Sequence, residues 1–150
     1  MAVRTVLLAG GLGTRLHPLT AELPKPMIPV VSRPWLDLLV ERLAQSGIQD
    51  ITLSLRHGKE TVIQYFQQNP PYIRLNFAVE PIPLGTGGAI RFAADGATDT
   101  VLVFNADIVQ TFDIQAFLRF HHERRADVTI GLVQVDDPSP YGAVEMDHSG

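Results

Sequence analysis

The sequence contains no cysteine among its 150 residues. Disulfide bonds, thiolate nucleophiles and cysteine-based zinc or iron–sulfur sites are therefore excluded from it. Long apolar runs are missing as well, since none approaches the roughly 20 residues of a membrane span. The apolar stretch at residues 6–9 is too short for the hydrophobic region of a secretory signal. We therefore expect a soluble cytoplasmic protein.

Basic residues are not in excess. Lysine and arginine total 12, aspartate and glutamate total 16, and the formal net charge is −4, with a pI near 5.6. A general electrostatic affinity for nucleic acid or an anionic membrane is not expected at this charge. With 45% hydrophobic and 19% charged residues, the composition is that of a globular chain with a core. The length predicts one domain or a large part of one, and the absence of a low-complexity linker predicts no domain boundary within residues 1–150.

Hydrophobic patterning predicts strands that alternate with helices. The strands are predicted at residues 4–9, 51–55, 75–79 and 101–105, with strand-like residues at 128–135 and an extended piece at 141–146. Helices are predicted at residues 34–46, 59–66 and 86–94, and from Asp113 to about Arg124. In the first helix, Trp35, Leu39 and Leu43 share a face that we interpret as core. This pattern predicts an α/β fold, with a Rossmann-like, mostly parallel sheet flanked by helices.

Glycines and basic residues follow the first predicted strand. Gly10, Gly11 and Gly13 allow backbone N–H groups to approach anionic oxygens. Arg15 adds a permanently charged fork for phosphate, and Lys25 stands between two prolines that keep its backbone extended. A P-loop would need Gly-Lys-Ser/Thr, and a dinucleotide fingerprint would need a glycine where Leu16 stands. The segment therefore predicts a phosphate site of another kind.

Together these segments resemble the signature of the sugar-1-phosphate nucleotidylyltransferases. The resemblance consists of Gly-Gly-Leu-Gly-Thr-Arg-Leu-x-Pro-Leu-Thr at residues 10–20, Pro-Lys-Pro-Met at 24–27, Leu-Gly-Thr-Gly-Gly-Ala at 84–89, Asn-Ala-Asp at 105–107 and Tyr-Gly at 141–142. Within this family the sequence is most similar to the mannose-1-phosphate and manno-heptose-1-phosphate guanylyltransferases. The resemblance implies transfer of a nucleotidyl group, with GTP as the expected donor, to a sugar 1-phosphate, which releases pyrophosphate.

The resemblance also implies a role for individual residues. The implied nucleotide-binding residues are Leu8, Ala9, Gly10, Gly11, Gly13, Thr14, Arg15, Glu80, Gly85 and Thr86. The implied sugar-phosphate residues are Lys25, Tyr141 and Gly142. Arg15, Lys25 and Asp107 are the implied catalytic residues, and Asp107 is the implied Mg²⁺ ligand.

The family's catalytic domain is longer than this sequence, and its second magnesium aspartate lies later in the chain. The resemblance therefore implies that residues 1–150 form the nucleotide-binding half. A nucleotide-binding or regulatory module without chemistry stays open as an alternative, as does the same chemistry with UTP or dTTP and a hexose 1-phosphate. Retention of Arg15, Lys25 and Asp107 favours the enzyme. The expected partners are the two substrates, and the oligomeric state, a homo-oligomer included, stays open.

Overall fold

The computed structural model describes residues 3–11, 13, 18, 23–109, 111–139 and 142–146. In chain order, its elements are β1 (Val3–Leu8), a 3₁₀ turn (Lys25–Met27), β2 (Pro29–Val30), β3 (Arg33–Pro34), α1 (Trp35–Gln45), β4 (Asp50–Leu55), α2 (Lys59–Gln68), β5 (Arg74–Val79), α3 (Gly85–Ala93), β6 (Thr100–Asn105) and α4 (Ile114–Glu123). The alternation of strands and helices predicted for residues 4–124 is confirmed.

The long strands form one parallel sheet in the order β5-β4-β1-β6. β1 lies in its interior, where Leu7 pairs in register with Leu53 of β4 and with Phe104 of β6. Val6 and Leu7 are fully buried, which is expected when both faces of a parallel sheet are covered. The predicted α/β class with a mostly parallel sheet is therefore confirmed.

The order of the strands places a crevice beside β1. Within the sheet, β4 and β5 lie on one side of β1, and β6, which follows them in the chain, lies on the other side of β1. Leu8, at the end of β1, is paired with Asn105, at the end of β6. Open parallel sheets bind ligands at this kind of switch point, beyond the carboxyl ends of the strands.

Helix α1 provides a large part of the core next to the sheet. Leu36, Leu39, Val40 and Leu43 are buried on one side of this helix, each no more than 2% exposed. The predicted apolar face is confirmed for Leu39 and Leu43. Trp35 differs, because it is only half-buried and its indole nitrogen makes a hydrogen bond. The interpretation of Trp35 as a simple core residue is therefore wrong.

Residues 113–150 form a compact unit of their own, separate from residues 1–112. The predicted helix α4 is confirmed, and its cap is Asp113, whose side chain accepts a hydrogen bond of 3.0 Å from the N–H of Ala116. The predicted strand at residues 128–135 is wrong, since no described residue there belongs to a strand. A strand needs a neighbour for its backbone hydrogen bonds, and apolar alternation alone does not supply one. Residues 142–146 also lie in no strand.

Among the helices that the structure describes, none has the length and apolar character needed to cross a membrane.

Candidate active site

A cleft of about 710 Å³ opens at the carboxyl ends of β1, β4, β5 and β6. Ten of the residues predicted for the site line it: Leu8, Ala9, Gly10, Gly11, Gly13, Lys25, Glu80, Gly85, Thr86 and Asp107. They come from four separate stretches of sequence, which the parallel sheet brings to one edge. The volume lies within the range usual for small-molecule sites.

Gly10 forms the part of the cleft wall directly after β1. A β-carbon at this position would lie 3.3 Å from Oε1 of Glu80 and 3.4 Å from both the backbone nitrogen and the β-carbon of Arg56. Any side chain would therefore press on Glu80 and on the end of β4. A glycine here keeps the backbone close to both and leaves space for a ligand.

Lys25 and Asp107 meet at the cleft as an ion pair. The distance from Nζ of Lys25 to Oδ2 of Asp107 is 2.6 Å, and the two side chains are 28% and 43% exposed. Asp107 follows β6, and the preceding residue is fixed by a 3.0 Å bond from the N–H of Ala106 to the carbonyl of Leu8. A cation and a carboxylate are thus held together where a ligand from solvent can reach both.

The segment that carries Lys25 is itself held in place. The N–H of Met27 donates to the carbonyl of Pro24 at 2.7 Å, and Met27 is buried. Pro24 packs against Gly58, the N-cap residue of α2, and a β-carbon on Gly58 would lie only 2.5 Å from the ring of Pro24. This contact needs a glycine, because no other residue leaves space for the proline.

We predict that Gly58→Ala destabilises the protein more than Gly96→Ala does. Both glycines have positive φ, +65° and +72°, but a β-carbon on Gly96 meets nothing within 4 Å. In both variants, alanine in the left-handed backbone conformation lowers the free energy of unfolding by about 1–2 kcal/mol. In Gly58→Ala, displacement of Pro24 lowers it by about 1–3 kcal/mol more. Urea unfolding of both variants measures the difference. Equal losses of stability in the two variants would show that the contact with Pro24 is not tight.

Glu80 follows β5 and presents its carboxylate in the cleft wall. Ser54 Oγ donates to its Oε1, and the N–H of Leu84 donates to its Oε2, each at 3.2 Å. The N–H of Glu80 donates to the carbonyl of Leu55 at 2.9 Å. Both the backbone and the carboxylate of Glu80 are therefore fixed. Since each carboxylate oxygen accepts about two hydrogen bonds, acceptor capacity is left on both oxygens.

Sequence reasoning missed several residues of the cleft. Ser54 and Arg56 line it at the end of β4, and Asn105 lines it at the end of β6. Their position in the sequence could have indicated them, because polar residues at the carboxyl end of a strand in a parallel sheet lie at the ligand-binding edge.

For four predicted site residues, the structure gives no location relative to the cleft. Thr14, Arg15 and Tyr141 lie outside the described residues. Gly142 belongs to the unit of residues 113–150. The roles assigned to these four residues, and those of the ten residues that line the cleft, stay predictions.

The described residues contain no group of three or more histidine, cysteine, aspartate or glutamate side chains that could hold a metal ion. At the cleft, Asp107 offers an accessible carboxylate next to the cation of Lys25. A Mg²⁺ ion usually takes one or two carboxylates from the protein and completes its shell with phosphate oxygens and water. The donor set therefore fits a metal that arrives with a phosphate ligand.

Comparison with known proteins finds relatives that match almost all of this chain. A mannose-1-phosphate guanylyltransferase from Mycobacterium tuberculosis is 40% identical over 147 residues, which are 97% of this chain and 41% of that protein. A mannose-1-phosphate guanyltransferase from Aspergillus fumigatus is 35% identical, over 95% of this chain and 40% of its own. The chain thus spans about two fifths of the length of these curated relatives.

A solved structure has the same fold. The crystal structure of HddC from Yersinia pseudotuberculosis, complexed with GMP-PN, matches with a TM-score of 0.84 and 36% identity, over 97% of this chain and 65% of that chain. The family model for nucleotidyl transferases matches residues 4–150. The chain therefore belongs to the nucleotidyl transferase family.

Proposed function

We propose that the protein transfers a nucleotidyl group from GTP to a sugar 1-phosphate, such as mannose or heptose 1-phosphate, to give an NDP-sugar and pyrophosphate. The observation that carries this proposal is the Lys25–Asp107 pair, 2.6 Å apart, in a cleft lined by glycines and by Glu80. The names of the relatives support the guanylyl group and the sugar 1-phosphate. The proposal places the reaction in the cytoplasm, where nucleoside triphosphates are available.

In the proposed reaction, a phosphate oxygen of the sugar 1-phosphate attacks the α-phosphorus of the nucleotide in line. A new phosphorus–oxygen bond forms as the bond to the β-phosphate breaks, and pyrophosphate leaves with that electron pair. No covalent bond to the protein is needed, so the side chains act by positioning and by neutralising charge. Lys25 is proposed to bridge the α-phosphate and the incoming sugar phosphate, and the glycine backbone is proposed to hold the triphosphate.

Asp107 is the residue proposed to hold Mg²⁺. When bound, this ion offsets the negative charge that builds up on the phosphate oxygens. In the structure Asp107 has Lys25 as its counter-ion. With a metal–nucleotide complex bound, Asp107 would hold the cation and Lys25 would hold phosphate oxygens. Both residues would then keep a partner of opposite charge, as each has in their ion pair.

Glu80 is the residue proposed to read the base. Guanine presents two adjacent donors, its N1–H and its N2 amino group, to an ionised carboxylate that only accepts hydrogen bonds. Uracil and thymine present one donor flanked by two carbonyl oxygens, which a carboxylate repels. The bonds from Ser54 and Leu84 fix the orientation of Glu80 before the ligand binds. A mismatched polar group costs roughly 1–3 kcal/mol, which is about a tenfold preference or more.

The test is turnover in an equimolar mixture of GTP, UTP and dTTP, with wild type, Glu80→Gln and the control Glu60→Gln. Glutamine still has partners, since its amide oxygen can accept from Leu84 and its amide nitrogen can donate to Ser54. We expect wild type and Glu60→Gln to prefer GTP, and Glu80→Gln to shift toward the pyrimidine nucleotides. A wild-type preference for UTP or dTTP that Glu80→Gln leaves unchanged would show that Glu80 does not read the base.

A further inference from the structure

Trp35, the first residue of α1, makes two hydrogen bonds that leave the helix in different directions. Its backbone N–H donates to the carbonyl of Ile28 at 3.0 Å. Its indole Nε1–H donates to the carbonyl of Ala106 at 2.6 Å. The two acceptors are 78 residues apart in the sequence, so Trp35 joins two distant segments.

Each acceptor belongs to a segment that carries one residue of the ion pair. Ile28 ends the 3₁₀ turn that begins at Lys25, and its N–H donates to the carbonyl of Lys25 at 3.3 Å. The carbonyl of Ala106 and the nitrogen of Asp107 belong to the same planar peptide unit. The hydrogen bond from the indole to this carbonyl therefore also fixes the backbone of Asp107. Trp35 is therefore linked to Asp107 through the adjoining peptide and to Lys25 through the 3₁₀ turn, and these two residues meet at 2.6 Å.

The helix that carries Trp35 is a rigid support. Its buried leucine and valine side chains pack into the core. Its first turn is held by Asp37, which accepts from Arg33 at 2.7 Å and from the hydroxyl of Tyr65 at 2.9 Å. The indole is thus fixed on a firmly packed element, whereas the Asp107 side chain is 43% exposed and has Lys25 as its bonded partner.

We propose that Trp35 is a positioning residue for nucleotidyl transfer: through its two hydrogen bonds it sets the separation and orientation of Lys25 and Asp107. This inference rests on the proposed function, because it concerns how the same cleft receives a metal–nucleotide complex. Trp35 acts through the backbone of Ile28 and Ala106. Loss of the indole N–H frees the Ala106–Asp107 peptide, while the backbone bond to Ile28 stays.

The test compares Trp35→Phe with Tyr65→Phe. Each variant keeps an aromatic ring at a half-buried position, one in α1 and the other in α2, and loses one hydrogen-bond donor. Burial and the hydrogen bond to Asp37 raise the pKa of Tyr65 above its usual value, so its hydroxyl is a protonated donor in the wild type. The readout is calorimetric binding of GTP as a function of Mg²⁺ concentration, without sugar phosphate, so that no turnover takes place.

In Trp35→Phe we expect the Mg²⁺ concentration for half-maximal binding to rise about three- to tenfold, the usual effect of one lost hydrogen bond. Binding of GTP without Mg²⁺ should change less than twofold. Tyr65→Phe should behave as wild type in both measurements, because Asp37 keeps its bond from Arg33 and the buried face of α1 stays packed. An unchanged Mg²⁺ midpoint in Trp35→Phe overturns the inference. An equal loss of binding with and without Mg²⁺ also overturns it, because a general structural defect has that effect.

A second measurement uses the wild-type protein and does not depend on the folding of a variant. The indole ¹H–¹⁵N resonance of Trp35 should exchange slowly with solvent, and it should shift when Mg²⁺ and GTP are added together. A resonance that stays in place overturns the inference. If the wild type binds no GTP at any Mg²⁺ concentration, the proposed function is wrong. If the wild type binds GTP with Mg²⁺ but Trp35→Phe has an unchanged Mg²⁺ midpoint, only the role of Trp35 is wrong.

Discussion

Asp107→Asn is expected to lower kcat/KM of the complete protein by about a hundredfold or more. Asparagine has the same shape as aspartate, and its amide oxygen can still accept a hydrogen bond from Lys25. It lacks the negative charge by which a carboxylate attracts Mg²⁺ more strongly than a neutral oxygen does. Because the Asp107 side chain is 43% exposed, its ion pair contributes about 1 kcal/mol or less to folding. The loss should therefore appear in steady-state kinetics with little change in Tm.

The matched control for this change is Asp99→Asn. Asp99 is an exposed aspartate just before β6, at the end opposite to the cleft. This variant should keep full activity. Near-wild-type turnover of Asp107→Asn over a range of Mg²⁺ concentrations would show that Asp107 is not a metal ligand.

Lys25→Ala is expected to lower kcat by about a hundredfold, because it removes a cation from the proposed site of nucleotidyl transfer. It should also raise the KM for the sugar phosphate about tenfold, since Lys25 is proposed to contact the attacking group. The KM for GTP should change less, because the glycine backbone still holds the triphosphate. Initial rates over a matrix of both substrate concentrations separate these effects.

Lys59→Ala is the control for the removal of a lysine. Lys59 is the other lysine of the sequence and pairs with Glu60 at 3.8 Å on α2. We expect wild-type kinetics from this variant. If Lys25→Ala raises the two KM values equally, the proposed contact between Lys25 and the sugar phosphate is wrong.

Local signals explain which parts of the fold the sequence predicts. β1 is a short apolar run that ends at Gly10, and α4 begins with Asp113, whose cap bond to Ala116 is present. In both cases the residues that define the element lie within a few positions of one another. The predicted site at the strand ends follows from the same reasoning, because the geometry of a parallel sheet brings the ends of its strands together.

The contacts that the sequence did not reveal join residues far apart in the chain. Lys25 and Asp107 are 82 positions apart, and the indole of Trp35 reaches a carbonyl 71 positions away. No periodicity encodes such pairs, and an aromatic residue in a helical stripe is usually interpreted as core.

Residues 128–135 are predicted as a strand that the structure does not contain. Their apolar alternation is real, but a strand also depends on a neighbouring strand, which the local pattern does not specify.

The release of pyrophosphate from GTP in the presence of Mg²⁺ tests the central claim most directly. The complete protein is incubated with GTP alone, with mannose 1-phosphate alone, and with GTP together with mannose or heptose 1-phosphate. The proposed function predicts that pyrophosphate appears only when GTP and a sugar 1-phosphate are both present, in amounts equal to the GDP-sugar formed. Binding of GTP without pyrophosphate release, with every sugar 1-phosphate tried, would contradict the claim and would identify the cleft as a nucleotide-binding site without chemistry.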